Sequence, residues 1–525
     1  MPQKKKLVVI GNGMAGARTV EEILRHGGAD RFDISMFGDE PHGNYNRIML
    51  SNVLSGAQSP SDIFLNPLPW YQEHGITLHA PVRATAIDRA AKTVTGSNGI
   101  EVPYDTLIIA TGSRPFVPPI EGLIQENGEE KAGVFVFRTL DDCRKIAGCA
   151  NKCAKAVVIG GGLLGLEAAR GLLKFGVDVH VVQSSGHLMN NQLDPAAGGL
   201  LKKAVARLGI TTHLGKRTSK ILGDDSVTGL KFEDGTSLAC DMVVISAGIT
   251  PNVEIARECG LLVERAIVVD DRMRSTVDPD IYAVGECAQH RGKVYGLVAP
   301  LWEQGQILAA HLTGKNPSAV YTGSKVATKL KAAGISLATM GVIEPEHDTD
   351  EVVIYTESRR GIYQKLILRD DTLIGAILLG DTDRAASLMQ AFDHGTPLDE
   401  NRRTALFDMG EPPVKPQTRL LLMPDDAKVC NCMALSKKAI RKCVEAGNTT
   451  LPMVQSACKA GTGCGTCKPL VQEIITWVTD GVAGPAAEAE GGANGINPDM
   501  PLDNPELTAA LKLLVRGLSS WANND

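Results

Sequence analysis

Two stretches about 150 residues apart share one grammar: a short apolar strand, a glycine-rich turn, then a helix. Residues 7–10 (Leu-Val-Val-Ile) run into Gly11-Asn12-Gly13-Met14-Ala15-Gly16 and a helical stretch ending near His26. Residues 156–159 run into Gly160-Gly161-Gly162-Leu163-Leu164-Gly165, a helix predicted over 166–175 and a strand over 177–183. In G-x-G-x-x-G the first glycine permits the tight turn. The second lets a pyrophosphate approach free N–H groups at the helix start, and the third lets helix and strand pack closely. One such turn is weak evidence; two copies, each between a strand and a helix, support each other. They predict tandem α/β dinucleotide-binding domains. A strand over 33–37 should end near a ribose, with Asp39 or Glu40 as its hydroxyl partner. In the second copy Gln183 takes that place. No Arg or Lys stands between Gln183 and Lys202 to pair with a 2′-phosphate, so NADH is expected, with NADPH as the alternative.

Two further strand ends belong to this pattern. The apolar run 104–109 ends in Ala110-Thr111-Gly112 and is echoed at 241–248. The run 276–284 ends in Gly285-Glu286, where an acidic side chain can hold a ribityl hydroxyl.

Near the C-terminus, Cys430, Cys432, Cys464 and Cys467 read C-x-C and C-x-x-C. Such pairs present four thiolates to one centre, and both a structural zinc and a [2Fe-2S] cluster fit. Ser436 can cap a helix running to Ala446 with Gly447 as its stop. Cys467 falls in the first turn of a helix toward Val478, where free N–H groups favour thiolates. Cys443 and Cys458 lie off the spacing and read as packed thiols. Cys143, Cys149 and Cys153 have no fourth partner nearby in the sequence and read likewise.

At 525 residues and net charge −6, three or four domains are expected. No basic run suggests nucleic acid or an anionic membrane surface. No apolar stretch approaches the ~18–20 residues that span a bilayer. Twelve cysteines without a secretion pattern suggest the cytoplasm, where clustered thiols serve metals.

These residues resemble the two-dinucleotide-binding-domain flavoproteins over roughly 1–400. The resemblance implies FAD on the first copy and NAD(P)H on the second. It makes the FAD domain discontinuous (1–120 and 270–318) around an NAD(P)H domain at 121–269. Gly11, Gly13, Gly16, Thr111, Gly112, Gly285 and Glu286 match its FAD-contact positions, with Asp39 and Arg47 beside them. Gly160, Gly162, Gly165 and Gln183 would take the nicotinamide cofactor. Segment 44–52 has no cysteine, which argues against the redox-disulfide branch. Tyr45-Asn46-Arg47, residues 192–200 and Gly285-Glu286 instead resemble the large subunit of NADH-dependent nitrite reductases. Asn52 stands where ferredoxin- and rubredoxin-reductase branches place a Lys.

The resemblance further implies an α+β domain at 319–410, near the flavin or at a homodimer contact, with a hairpin turning at Arg369-Asp370-Asp371-Thr372. A Pro-rich linker (411–425) follows. Residues 426–480, through Lys459-Ala460-Gly461-Thr462-Gly463-Cys464-Gly465-Thr466-Cys467, resemble the small helical [2Fe-2S] domain of bacterioferritin-associated ferredoxin and nitrite reductase large subunits. Residues 481–525 read as a flexible linker and a tail helix near 507–521. The implied activity is an NADH-dependent oxidoreductase passing electrons through FAD and the cluster to a redox partner, a nitrate or nitrite reductase. No side chain is needed as acid or base. No cysteine follows Cys467, whereas a sirohaem and [4Fe-4S] domain would need four more thiolates. A ferredoxin or rubredoxin reductase and a redox- or iron-responsive cluster protein are the alternatives.

Overall fold

The structure is a computed structural model describing residues 3–124, 131–332, 334–407, 416–430, 433–463, 465 and 467–480. The tail helix expected near 507–521 lies outside the described residues, as do 408–415. Among the described residues no helix is long and apolar enough to cross a membrane.

Strand Lys5–Ile10 is the middle of a five-stranded parallel sheet ordered Ile281–Ala283, Thr106–Ile109, Lys5–Ile10, Phe32–Phe37, Ile76–His79. Leu7, Val8 and Val9 are at most 1 % exposed, as expected of a strand covered on both faces. Helix Met14–Arg25 covers one face with Ala17, Val20 and Ile23 at helical spacing. Its Arg18 is buried, ion-paired with Glu22 at 2.6 Å and stacked over Trp302 of helix Val298–Leu312. Gly305 lets the two helices close: a Cβ there would meet Thr19 Oγ1 at 2.7 Å.

The second sheet repeats the plan: Val134–Val136, Met242–Ile245, Lys155–Ile159, Asp178–Gln183, Thr211–Leu214, all parallel. Short strands Ser113–Pro115 and Ile249–Pro251 pair antiparallel where the chain passes between the two sheets. The strand Ile281–Ala283 then returns to the first sheet, so sequence-distant segments build it.

A third sheet is antiparallel: Ala327–Ala332, Ile335–Gly341, Thr372–Leu379, Ile362–Arg369, Glu351–Glu357. Its hairpin turns at Asp370 and Asp371, both with positive φ (48° and 60°), a backbone that Asp tolerates better than most residues. One face packs under helix Ala385–His394. The other, through Leu337, Tyr363, Ile377 and Leu379, joins the core of the second sheet's helices. The last module packs helices Lys437–Glu445, Leu451–Cys458 and Lys468–Thr479 around Ile440, Val454, Val471 and Ile474. Ser436 caps the first of these through Ala439 N–H. A helix, Pro416–Leu422, occupies the middle of the expected linker 411–425.

Candidate functional site

The two glycine turns share nearly one geometry. Gly11 and Gly160 lie at φ +114° and +118°, and a Cβ at either would meet a carbonyl oxygen, of Ala110 or Ser246, at 2.1 Å. Gly16 and Gly165 touch the turn itself: a Cβ would lie 2.1 and 1.9 Å from the Gly11 and Gly160 oxygens. Gly13 and Gly162 start their helices and have nothing within 4 Å of a Cβ position. Each turn is thus closed behind and open in front, at a helix N-terminus, which fits a pyrophosphate.

In front of the first turn lies a cavity of about 910 Å³. Gly11, Gly13, Asp39, Arg47, Thr111, Gly112 and Glu286 line it; Gly16 and Gly285 lie behind, packed against the turn and against Ala15. Asp39 is exposed at the mouth. Restricted solvent there raises its pKa, while Arg83, 3.9 Å away, pulls it down. Glu40, the other candidate, is committed: it accepts from Tyr45 Oη (2.7 Å) and Arg47 Nη2 (2.5 Å). Burial pushes the Tyr45 phenol well above its usual range, so it stays a donor to Glu40.

Several residues that the sequence did not mark complete this wall. Arg47 also donates to the Arg138 carbonyl at 3.0 Å, and the Arg138 guanidinium bonds Glu286. Ser113 Oγ donates to Glu286 at 2.6 Å. Thr111 is tied to Asn252 by bonds of 2.6 and 3.0 Å. Glu286 therefore lines the cavity as the anchor of an arginine and of the Ser113 hydroxyl. Arg138 follows strand Val134–Val136 of the second sheet, and nothing in its local sequence distinguishes it.

Gln183 ends strand Asp178–Gln183 beside the second turn. It is buried; its Oε1 accepts from Gly161 N–H (2.7 Å), and its Nε2 donates to Ser185 (2.6 Å) and Asn190 (2.9 Å). Both ends of the amide are used in shaping the turn and its flank. The carbonyl of Gln183 accepts from Lys216 N–H at 3.0 Å, so the following strand brings basic residues to this edge. Lys216 is bonded to Asp234 and Arg217 lies 3.5 Å from Glu233.

Of the four cluster cysteines, Cys430 and Cys467 are buried, and Cys432 and Cys464 lie outside the described residues. Cys467 is the N-cap of helix Lys468–Thr479, where the helix dipole favours thiolate. Among the described residues no group of three His, Cys, Asp or Glu side chains is arranged to hold a metal ion. Cys149 and Cys153 face each other at 3.3 Å between sulfurs, and Cys143 is buried beside Leu50. The loop ahead of Cys467 meets the cavity wall: Asn46 Nδ2 donates to the Thr462 carbonyl at 3.1 Å.

Residues 5–306 match the family described as pyridine nucleotide-disulphide oxidoreductase. Residues 327–396 match the rubredoxin NAD+ reductase C-terminal domain, and 428–477 the BFD-like [2Fe-2S] binding domain. The chain is 42% identical over 477 residues to a nitrite reductase (NAD(P)H) of Bacillus subtilis strain 168, covering 90% of this chain and 57% of that protein. It is 41% identical over 485 residues to the assimilatory nitrate reductase electron transfer subunit of the same strain, covering 91% and 60%. An NAD-dependent persulfide reductase from A. fulgidus has a TM-score of 0.68 at 28% identity, over 78% of this chain and 80% of that one. The chain spans little more than half the length of the two curated relatives.

Proposed function

The chain belongs to the pyridine nucleotide-disulphide oxidoreductase family, and from that premise we propose that it is an electron-transfer component of nitrate or nitrite assimilation, drawing on NADH and serving a catalytic redox partner. It is an NAD(P)H-dependent oxidoreductase that binds FAD and carries a [2Fe-2S] cluster in its BFD-like module. When bound, these groups supply hydride acceptance and one-electron transfer.

One contact carries the reading. Tyr45 and Arg47 line the cavity, and Asn46 between them holds the loop that leads to Cys467. A flavin-side wall and a cluster-bearing loop in direct contact suit internal electron passage.

We assign Gly11, Gly13 and Gly16 to shaping the FAD pyrophosphate seat, Asp39 to its ribose, and Thr111, Gly112, Gly285 and Glu286 to the rest of its wall. Arg47, held by Glu40 and Tyr45, sets a fixed positive charge in that wall. Gly160, Gly162 and Gly165 form the nicotinamide-cofactor turn, which Gln183 keeps in shape. NADH is preferred in this reading because Lys216 and Arg217 are already paired with Asp234 and Glu233. Cys430, Cys432, Cys464 and Cys467 hold the cluster. No side chain has to act as acid or base. The domain limits inferred from the sequence, a cytoplasmic setting and a homodimer through 319–410 belong to the same proposal.

Visible and EPR spectra before and after anaerobic NADH test it. Flavin bleaching followed by a rhombic signal of one reduced [2Fe-2S] centre is expected. A bleached flavin beside an EPR-silent, zinc-containing protein would remove the relay.

A further inference from the structure

Asn46 is almost wholly buried, 1 % exposed, yet it does not line the cavity. Every polar atom of its side chain is used. Oδ1 accepts from Ile48 N–H at 3.1 Å, capping the short turn Arg47–Met49; Nδ2 reaches the other way, to the Thr462 carbonyl at 3.1 Å. Its own main chain is pinned to Ile63, with N–H to carbonyl at 2.8 Å.

The loop it holds is also braced from within. Thr462 Oγ1 bonds the Lys459 carbonyl at 2.8 Å, Lys459 takes a positive φ of 64° to end its helix, and Gln455 bonds the Gly461 carbonyl at 3.3 Å. The Thr462 carbonyl faces outward to Asn46, five residues ahead of Cys467. A half-buried carbonyl without a donor would cost about 1–3 kcal/mol, so the joint favours a donor at this point. Asn is the side chain that supplies an acceptor toward its own turn and a donor across the joint at this length. Asp lacks the donor, and Ser is too short to span both.

Resting on the relay reading above, we propose that Asn46 is the positioning residue for internal electron transfer. It fixes the cluster-bearing loop against the segment whose neighbours, Tyr45 and Arg47, form the flavin wall. Its two hydrogen bonds tie the orientation of one to the other.

The test uses the full-length, cofactor-loaded protein and the variant Asn46→Asp, which keeps the cap on Ile48 and loses the donor to Thr462. Asn46→Ser, a good turn cap that cannot reach Thr462, replaces it if it does not fold. Two readouts are taken: amide hydrogen exchange in residues 459–463, and rapid-mixing kinetics with NADH that separate flavin bleaching from the EPR signal of the reduced cluster. We expect exchange in 459–463 to rise about tenfold, one lost hydrogen bond's worth. Flavin bleaching should stay within about twofold while the cluster signal slows about tenfold, a gap a general loss of stability would not produce. Unchanged exchange would overturn the proposal. So would faster exchange with unchanged cluster reduction, since the contact would then hold the loop without serving transfer. If the wild-type protein bleaches its flavin and never reduces its cluster, the relay reading falls, and the assignment of Asn46 to transfer falls with it. Slow cluster reduction confined to the variant separates that case from a working relay.

Discussion

Gly11 and Gly160 are equivalent in backbone angle and in the carbonyl each would strike, so substituting them separately tests the assignment of one turn to each cofactor. Alanine at either position forces a left-handed backbone and a contact near 2 Å, and strain of about 1–3 kcal/mol corresponds to about fivefold or more in binding. Gly11→Ala should purify with little FAD. Gly160→Ala should purify yellow, and NADH should bleach it at least about fivefold less readily at subsaturating concentration. If both variants lose flavin equally, the second turn does not serve a separate nucleotide. The glycine pattern made these two residues legible at once, because a phosphate seat leaves a fixed spacing in the chain. Arg138, Ser113 and Asn252 left none: each is an ordinary residue at a strand end until the fold joins it to Glu286 or Thr111. Gln183 is a different case. Its amide bonds Gly161, Ser185 and Asn190, partners that become visible only when the loop closes.

Between elements, the joint of the second and third sheets turns on Asp194. Its carboxylate caps helix Pro195–Arg207 through Ala197 N–H (2.9 Å) and accepts from Tyr363 Oη (2.5 Å) and Lys365 Nζ (3.0 Å). Burial alone would raise its pKa, but those three donors outweigh it and hold the group below the usual carboxylate range. A carboxylate depressed in the folded state stabilises the fold at pH values above its unfolded pKa, near about 4. That contribution fades as pH falls through the folded pKa, because the unfolded chain then takes up the proton more readily. Thermal melts should therefore lose stability steeply below about pH 4, and Asp194→Asn should flatten that part of the profile. At neutral pH, Lys365→Met should destabilise by about 3 kcal/mol, since it removes one partner of a buried pair. An unaltered melting temperature would show that the joint does not depend on the pair. The hairpin and the cap were legible because their signals are local: Asp370-Asp371 for the turn, Ser436 for the cap. The joint was not, because Tyr363 and Lys365 lie 169 and 171 residues from Asp194 in sequence. Helix Pro416–Leu422 was hidden for a third reason, as a Pro-rich stretch reads as linker although Pro is well suited to a first helical position.

For the whole molecule, what matters is how firmly the last module sits on the body that holds the cavity. Several of its contacts among the described residues are polar. Lys428, two residues before Cys430, reaches Glu303 at 2.9 Å and Asp393 at 3.8 Å; His394 faces Asp426 at 4.0 Å; and Asn46 holds Thr462. Lys428 and Glu303 are partly exposed, and ion pairs of that kind contribute about 0–1 kcal/mol and weaken with salt. The hydrogen bond to Thr462 involves no net charge and should persist. Raising ionic strength from about 0.1 to about 1 M shortens the screening length from about 10 to about 3 Å. Cluster reduction by NADH should then slow by a few fold, with flavin bleaching much less affected. Lys428→Met should start slower and respond less to salt, because the screened charge is already gone. The two proteins are compared by the same rapid-mixing measurement, with potassium chloride as the salt. If wild-type cluster reduction ignores ionic strength while Lys428→Met lowers it, the lysine acts through packing. If neither changes, the charged pairs do not set the seating of the module.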